Sequence, residues 1–294
     1  MAKRNTLRVG VAGAAAGSIE IVCTYPLEFA KTQLQLEHGA AATHTGFKRG
    51  TIDCLVRTAR EHGVRGLYKG ATPWFVFAGP RSAVRFATFE YLRGAAERWG
   101  IRRSEFACGL VAGAVEGMLT QTPMQAIQIK LVHDASPGVV NKRFAGMGFL
   151  ESVAAIVRKD GFWNGLYCGV GPAVAKGAVT NGLRFFGYHG IVNRVSPRDK
   201  PSVALSMTAG GLAGAFSAVV SQPIDTVKAN MMGLDAHRYK SSWDCAWSII
   251  KADGLVALWN GVGPRTGRVF LEVGLQFSLF EQIFSLVDRI FDKA

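Results

Sequence analysis

Charge is scarce in this chain. Only 19% of its 294 residues are Asp, Glu, Lys or Arg, against about 25% in an ordinary water-soluble domain. Residues 201–224 carry none at all. Acid is scarcer than base: 21 Asp and Glu stand against 34 Lys and Arg, a formal net charge of +13. That balance suits an anionic partner, whether nucleic acid, anionic lipid or a small solute. Paired cysteines are missing too. Cys23, Cys54, Cys108, Cys168 and Cys245 are odd in number, widely spaced and without a CxxC, which excludes a disulfide framework and a cysteine-rich zinc site. His38, His44, His62, His133, His189 and His237 lack metal-ligand spacing. No GxxxxGK[ST], HExxH or GxSxG occurs, and GVGPRTG at 261–267 has no strand before it, so no enzyme motif is legible. Glu20 interrupts the N-terminal apolar stretch, which therefore does not read as a secretory signal. No metal, cofactor or enzymatic role is expected.

What the chain has instead is repetition. YPLEFAK at 25–31, TPMQAIQ at 122–128 and QPIDTVK at 222–228 place Pro26, Pro123 and Pro223 at intervals of 97 and 100 residues. A second marker follows each: LYKGATP ends at Pro73, LYCGVGP at Pro172 and LWNGVGP at Pro264. EHG at 61–63, DG at 160–161 and DG at 253–254 precede them. Small-residue seams come before each first proline: Gly13 and Gly17, then Gly109, Gly113 and Gly117, then Gly210 and Gly214. Self-similarity at a period of about 100 residues divides the chain into repeats at 1–100, 101–198 and 199–294 of one domain, 1–294.

Each repeat opens with a small-residue helix that runs into the proline motif. A short amphipathic helix follows, as in FLESVAAIVRKDG (149–161) and SWDCAWSIIKADG (242–254), with apolar positions three and four apart. GxxP then starts a second long apolar segment, where proline is sterically at home. The six long segments are 7–37, 71–98, 103–132, 170–195, 202–231 and 262–290. The uncharged run at 201–224 would rise about 36 Å as a helix, enough for a bilayer core of about 30 Å. The others contain arginine, which points to a bundle around a polar interior. Glycine seams let such helices approach closely. The rival from another class is a soluble helical-repeat protein on nucleic acid; the uncharged run argues against it.

Proline inside a helix removes a hydrogen bond and kinks it. The acid and base after each proline lie three apart, on one face. Three kinked helices around an axis can converge, and their charges can then close a ring. The pattern P-x-[DE]-x-x-[KR], three times at this period with a later aromatic-x-glycine, resembles the mitochondrial carrier family across the whole chain. The resemblance implies an all-α membrane protein with six transmembrane helices, pseudo-threefold symmetry and three short matrix-side helices. It implies alternating access in the mitochondrial inner membrane, with a monomer binding cardiolipin.

In that frame the matrix gate comprises Glu28, Lys31, Gln125, Gln128, Asp225 and Lys228. The second repeat has amides where charges are usual. The resemblance implies a Glu28–Lys228 ion pair, with Lys31 on Gln125 and Asp225 on Gln128. A cytoplasmic gate follows an aromatic-acid-x-x-base pattern: Phe89 to Arg93 fits it with Glu90, and Arg93 can pair with Glu281 of the third repeat. Two weak gates imply ready interconversion.

Gates repeat, but a substrate is not threefold symmetric. Four residues after the GxxP proline stand Phe77, Lys176 and Arg268; eight after, Arg81, Thr180 and Glu272; twelve after, Arg85, Arg184 and Gln276. Steps of four share a face. Arg81, Arg85, Lys176, Arg184, Arg265 and Arg268 are therefore the expected substrate-binding residues, with two of the six satisfied structurally by Glu20, Glu116 or Glu272. Guanidinium forks suit carboxylates, so a solute with two or three carboxylates is expected. GLDAHRYKSSWDC (233–245), SAVRFATFEYL (82–92) and KLVHDASP (130–137) are most similar to the tricarboxylate-carrying branch of the family. That likeness implies exchange of citrate for malate; dicarboxylate, oxodicarboxylate or nucleotide exchange are the alternatives.

Overall fold

The computed structural model describes residues 2–36, 50–98, 105–136, 139, 142–195, 203–272 and 275. Long helices are α1 (Ala2–Leu36), α3 (Thr72–Arg98), α8 (Val170–Val195) and α9 (Val203–Met232). A fifth is made of α4 (Glu105–Glu116) and α5 (Thr122–Asp134), joined by a wide turn at Gly117–Gln121. The sixth, α11, is helical over 262–272; the rest of the expected 262–290 lies outside the described residues. Short helices α2 (Thr51–Gly66), α6 (Phe149–Asp160), α7 (Phe162–Leu166) and α10 (Ser242–Asp253) lie between them. The described residues contain no strand.

The two sequence markers of each repeat meet at the proline. Pro26 frees the carbonyl four residues back, that of Val22, and the Tyr68 hydroxyl donates to it at 2.9 Å. Pro223 frees Val219 in the same way, and the Trp259 indole N–H donates to it at 3.1 Å. The aromatic of LYKG and LWNG thus satisfies the break that the proline makes. The second repeat solves the problem differently. Its helix inserts a π turn at Gly117–Gln121 just before Pro123, a recognised source of helix bending. Thr122 Oγ1 donates to the Gly117 carbonyl at 2.8 Å.

The glycines of the markers have a geometric cause. Gly63, Gly161 and Gly254 end the amphipathic helices at φ of 68°, 80° and 84°; Gly70, Gly169 and Gly261 follow at 78°, 79° and 80°. Side chains rarely adopt this backbone. The second trio also has no room: a Cβ at Gly70 would lie 2.9 Å from Val132, at Gly169 3.1 Å from Met232, and at Gly261 3.0 Å from the Lys31 carbonyl. Each glycine therefore seats its loop on the first long helix of the next repeat: first on second, second on third, third on first. This cyclic order is the pseudo-threefold symmetry expected from the sequence.

Burial is inverted relative to a water-soluble protein. Leu119, Leu212, Phe216, Val220 and Phe270 are exposed on the long helices, whereas Glu28, Lys31, Gln128, Asp225 and Lys228 are buried. Among the described residues no helix is long and apolar enough, by hydropathy alone, to cross a membrane. Glu28 and Lys31 on α1 and Asp225 and Lys228 on α9 are turned inward. Apolar clusters sit where α2, α6 and α10 pack: Cys54 with Tyr25 and Phe29, Ile156 with Ile127, and Cys245 and Ile249 with Val227. Burial pushes the Cys245 thiol up to about 12, which makes it a packing residue rather than a reactive one.

Candidate functional site: a gated basic cavity

The proline kinks bring the ends of α1, α5 and α9 together. Asp225, fully buried, is the hub. Lys31 lies 2.8 Å away, Lys228 3.1 Å, Lys176 2.5 Å and Arg265 3.8 Å. Gln35 adds an amide N–H at 3.2 Å. Four cations offset the desolvation of one carboxylate, which a single partner would leave costly.

The ring pairs in the opposite sense from the one expected. Lys31 of the first repeat meets Asp225 of the third, and Lys228 donates to Gln125 Oε1 of the second at 2.9 Å. The Glu28–Lys228 pair and the Lys31–Gln125 and Asp225–Gln128 contacts are not formed. Helical spacing puts acid and base on one face but says nothing about which neighbour that face meets. By the threefold order, Glu28 should face position 128. That residue is glutamine, and its Nε2 is buried without a hydrogen-bond partner. Glu28 turns instead to Lys31 at 3.3 Å and to Arg268 at 2.6 Å.

Two further amides reinforce the joints. Gln33 donates to the Val132 carbonyl at 2.9 Å and accepts from Ser136 Oγ at 2.7 Å. Asn230 donates to the Gln35 carbonyl at 2.9 Å. The equivalent residue of the second repeat, Lys130, reaches Asp160 within its own repeat at 2.5 Å.

Above this closed end the basic residues form a funnel. The side chain of Arg85 is 58% exposed, Arg81 24%, Lys176 19%, Arg268 14% and Lys31 8%. Exposure falls stepwise toward the prolines, as for a cavity open at one end. Arg81 and Arg85 share Glu116, at 3.1 and 2.7 Å. Arg184 is exposed and makes no hydrogen bond or ion pair among the described residues. Arg268 lies over the Trp74 ring at 4.8 Å, with Arg81 at 5.9 Å from the same ring, a cation–π shelf.

Arg265 is placed differently from the other five. It is buried, donating to the Ala218 carbonyl at 3.1 Å, Gln222 Oε1 at 3.0 Å and Ser221 Oγ at 2.8 Å. Those bonds fasten α11 to α9, so its guanidinium faces the wall. One residue after GxxP shares the face of positions eight and twelve, but it stands in the first turn of α11, where α9 takes up the side chain. Sequence reasoning missed Trp74 and the descent of Lys176 and Arg268 onto the gate acids. Trp74 is also one residue after its proline, and nothing in the pattern distinguishes it from an interfacial anchor. At the other end, Arg93 pairs with Glu97 at 3.2 Å and Glu90 is exposed; Glu281 and Gln276 lie outside the described residues.

An apolar exterior, a charged interior and a gate of three converging kinked helices define a membrane carrier. The family model for mitochondrial carrier protein matches residues 2–98, 103–198 and 199–289, and the chain belongs to that family of all-α, six-helix, three-repeat membrane proteins. The tricarboxylate transport protein of Homo sapiens mitochondria is 38% identical over 288 residues, covering 95% of this chain and 89% of that protein. The Bos taurus protein of the same name is 37% identical over 287 residues, 95% and 89%. The tricarboxylate transport protein of Saccharomyces cerevisiae is 31% identical over 292 residues, 94% of each.

Proposed function

We propose that this chain is a mitochondrial inner-membrane antiporter that exchanges citrate or a related tricarboxylate for a dicarboxylate such as malate. The descending ladder Arg85, Arg81, Lys176, Arg268 carries the reading, with Arg184 open to the same cavity. Each charge near a membrane centre costs roughly 2.5–3.5 kcal/mol on insertion scales, so a polyanion that neutralises several at once is a strong match. The relatives' name, tricarboxylate transport protein, supports the same substrate class.

In this reading the structure is the state closed at the proline end. Arg81, Arg85 and Arg184 receive carboxylates at the mouth, while Lys176 and Arg268 receive one at the floor. Arg265 belongs to the wall, and Glu28, Lys31, Gln125, Gln128, Asp225 and Lys228 form the matrix gate. Arg93, Glu90 and Glu281 are assigned to the cytoplasmic gate by the family pattern. The working unit is one domain, 1–294, acting as a monomer held by cardiolipin. No covalent step is involved. The test is uptake of labelled citrate into liposomes holding the purified protein and preloaded with citrate, malate, ATP or nothing. Uptake that requires internal citrate or malate supports the reading. Uptake driven only by ATP, or no citrate uptake, sinks it.

A further inference from the structure

The second repeat lacks both gate charges, yet Glu28 is not left alone. Its Oε2 takes Arg268 Nη1 at 2.6 Å, although Arg268 belongs to the substrate column of α11. The residue that the threefold order places opposite Glu28, Gln128, is only 1% exposed and its Nε2 is without a hydrogen-bond partner. Arg268 is held for this task by the Trp74 ring at 4.8 Å and by Glu272 at 4.0 Å. Its Nε makes no hydrogen bond, so the fork is only partly used. We propose that Arg268 stands in for the missing base of the second repeat, so that a substrate carboxylate opens the gate by drawing Arg268 off Glu28. This rests on the polycarboxylate reading of the cavity.

The consequence is a lock whose key is the substrate. One guanidinium cannot give its best bidentate geometry to two carboxylates at once. While the cavity is empty, Arg268 of the third repeat holds Glu28 of the first, in place of the second-repeat base that is missing. Once a carboxylate occupies it, Glu28 keeps only Lys31, on its own helix, and of the two ion pairs that tie first and third repeats only Lys31–Asp225 is left. Gating energy then comes from differential binding in the two states, as any ligand-driven shift requires.

Gln128→Lys separates the roles, because it gives Glu28 the base that symmetry calls for and frees Arg268. Wild type, Gln128→Lys and Glu28→Gln would be compared as purified full-length proteins. Citrate/citrate exchange in liposomes and melting temperature without substrate are the readouts. For Gln128→Lys we expect a melting temperature higher by ~2–4 °C, a half-saturating citrate concentration several-fold lower, and a maximal rate lower by about tenfold. Glu28→Gln, which also frees Arg268, should lower the half-saturating concentration without raising the melting temperature. A merely structural Arg268 would not move affinity and rate in opposite directions. Unchanged kinetics in Gln128→Lys, or a higher half-saturating concentration in both variants, overturns the proposal. Absence of citrate exchange in wild type instead sinks the substrate reading; the melting temperatures still test the pairing, and no rise in Gln128→Lys counts against it.

Discussion

Lys228 donates to the amide oxygen of Gln125 at 2.9 Å, where the threefold order calls for a carboxylate. The joint between second and third repeats is therefore a charge-to-amide hydrogen bond instead of an ion pair. Gln125→Glu should tighten it. A hydrogen bond to a charged group is worth about 1.5–3 kcal/mol, and making the acceptor anionic adds to that. We expect a melting temperature higher by ~2–4 °C and slower citrate exchange. Thermal unfolding in detergent and liposome exchange together check it; faster exchange would show that this joint does not restrain opening.

Asp225 behaves as a hub rather than as half of a pair. Asp225→Asn would strand Lys31, Lys176 and Lys228 in the interior, a loss of roughly 3–5 kcal/mol for a buried pair and a fall in melting temperature on the order of 10 °C. The charge swap Lys31→Asp with Asp225→Lys should not rescue it. The swapped lysine would meet Lys176 and Lys228, which now lie within 3.1 Å of Asp225. Rescue of stability by the swap, measured by thermal unfolding, would reduce the hub to a two-residue bridge.

The repeat, the kinks and the six long helices were legible because each is a periodic demand on residue type. Proline at 26, 123 and 223 must interrupt a helix, and glycine at 70, 169 and 261 must take positive φ. The shared face of Arg81 and Arg85 was legible for the same reason: steps of four keep them together, and both reach Glu116. The sense of the ring was not. Whether Lys31 meets Asp225 or Gln125 depends on the rotation of whole helices about a common axis, which no local pattern encodes. The position of Arg265 was misread because its face was counted without its depth: in the first turn of α11 that face packs on α9. The π turn before Pro123 was also invisible, since GMLTQ carries no signal that separates it from an ordinary helical turn.

The marker glycines should differ in sensitivity. Gly254 and Gly261 have nearly the same φ, 84° and 80°, so alanine strains the backbone at both, by about 1–3 kcal/mol. Nothing lies within 4 Å of a Cβ at Gly254, whereas at Gly261 it would be 3.0 Å from the Lys31 carbonyl and 3.2 Å from Gln35 Cγ. Gly261→Ala should therefore destabilise more than Gly254→Ala and also impair transport, because it pushes on the backbone of a gate lysine. Equal melting temperatures for the two variants would contradict the cyclic seating of one repeat on the next.

Arg184 and Arg265 make opposite predictions from the same residue type. Arg184 is exposed and makes no hydrogen bond or ion pair among the described residues, so Arg184→Gln removes little that holds the fold. Its melting temperature should stay within about 2 °C of wild type, since surface changes are usually worth less than 0.5 kcal/mol. Citrate exchange should fall by at least about tenfold, the worth of one charge-assisted hydrogen bond of roughly 1.4 kcal/mol or more. Arg265→Gln removes the donor to the Ala218 carbonyl, Gln222 Oε1 and Ser221 Oγ that fastens α11 to α9 and should lower the melting temperature clearly. If Arg184→Gln destabilises as much as Arg265→Gln while transport per folded protein is unchanged, the funnel's mouth is not where the substrate is received.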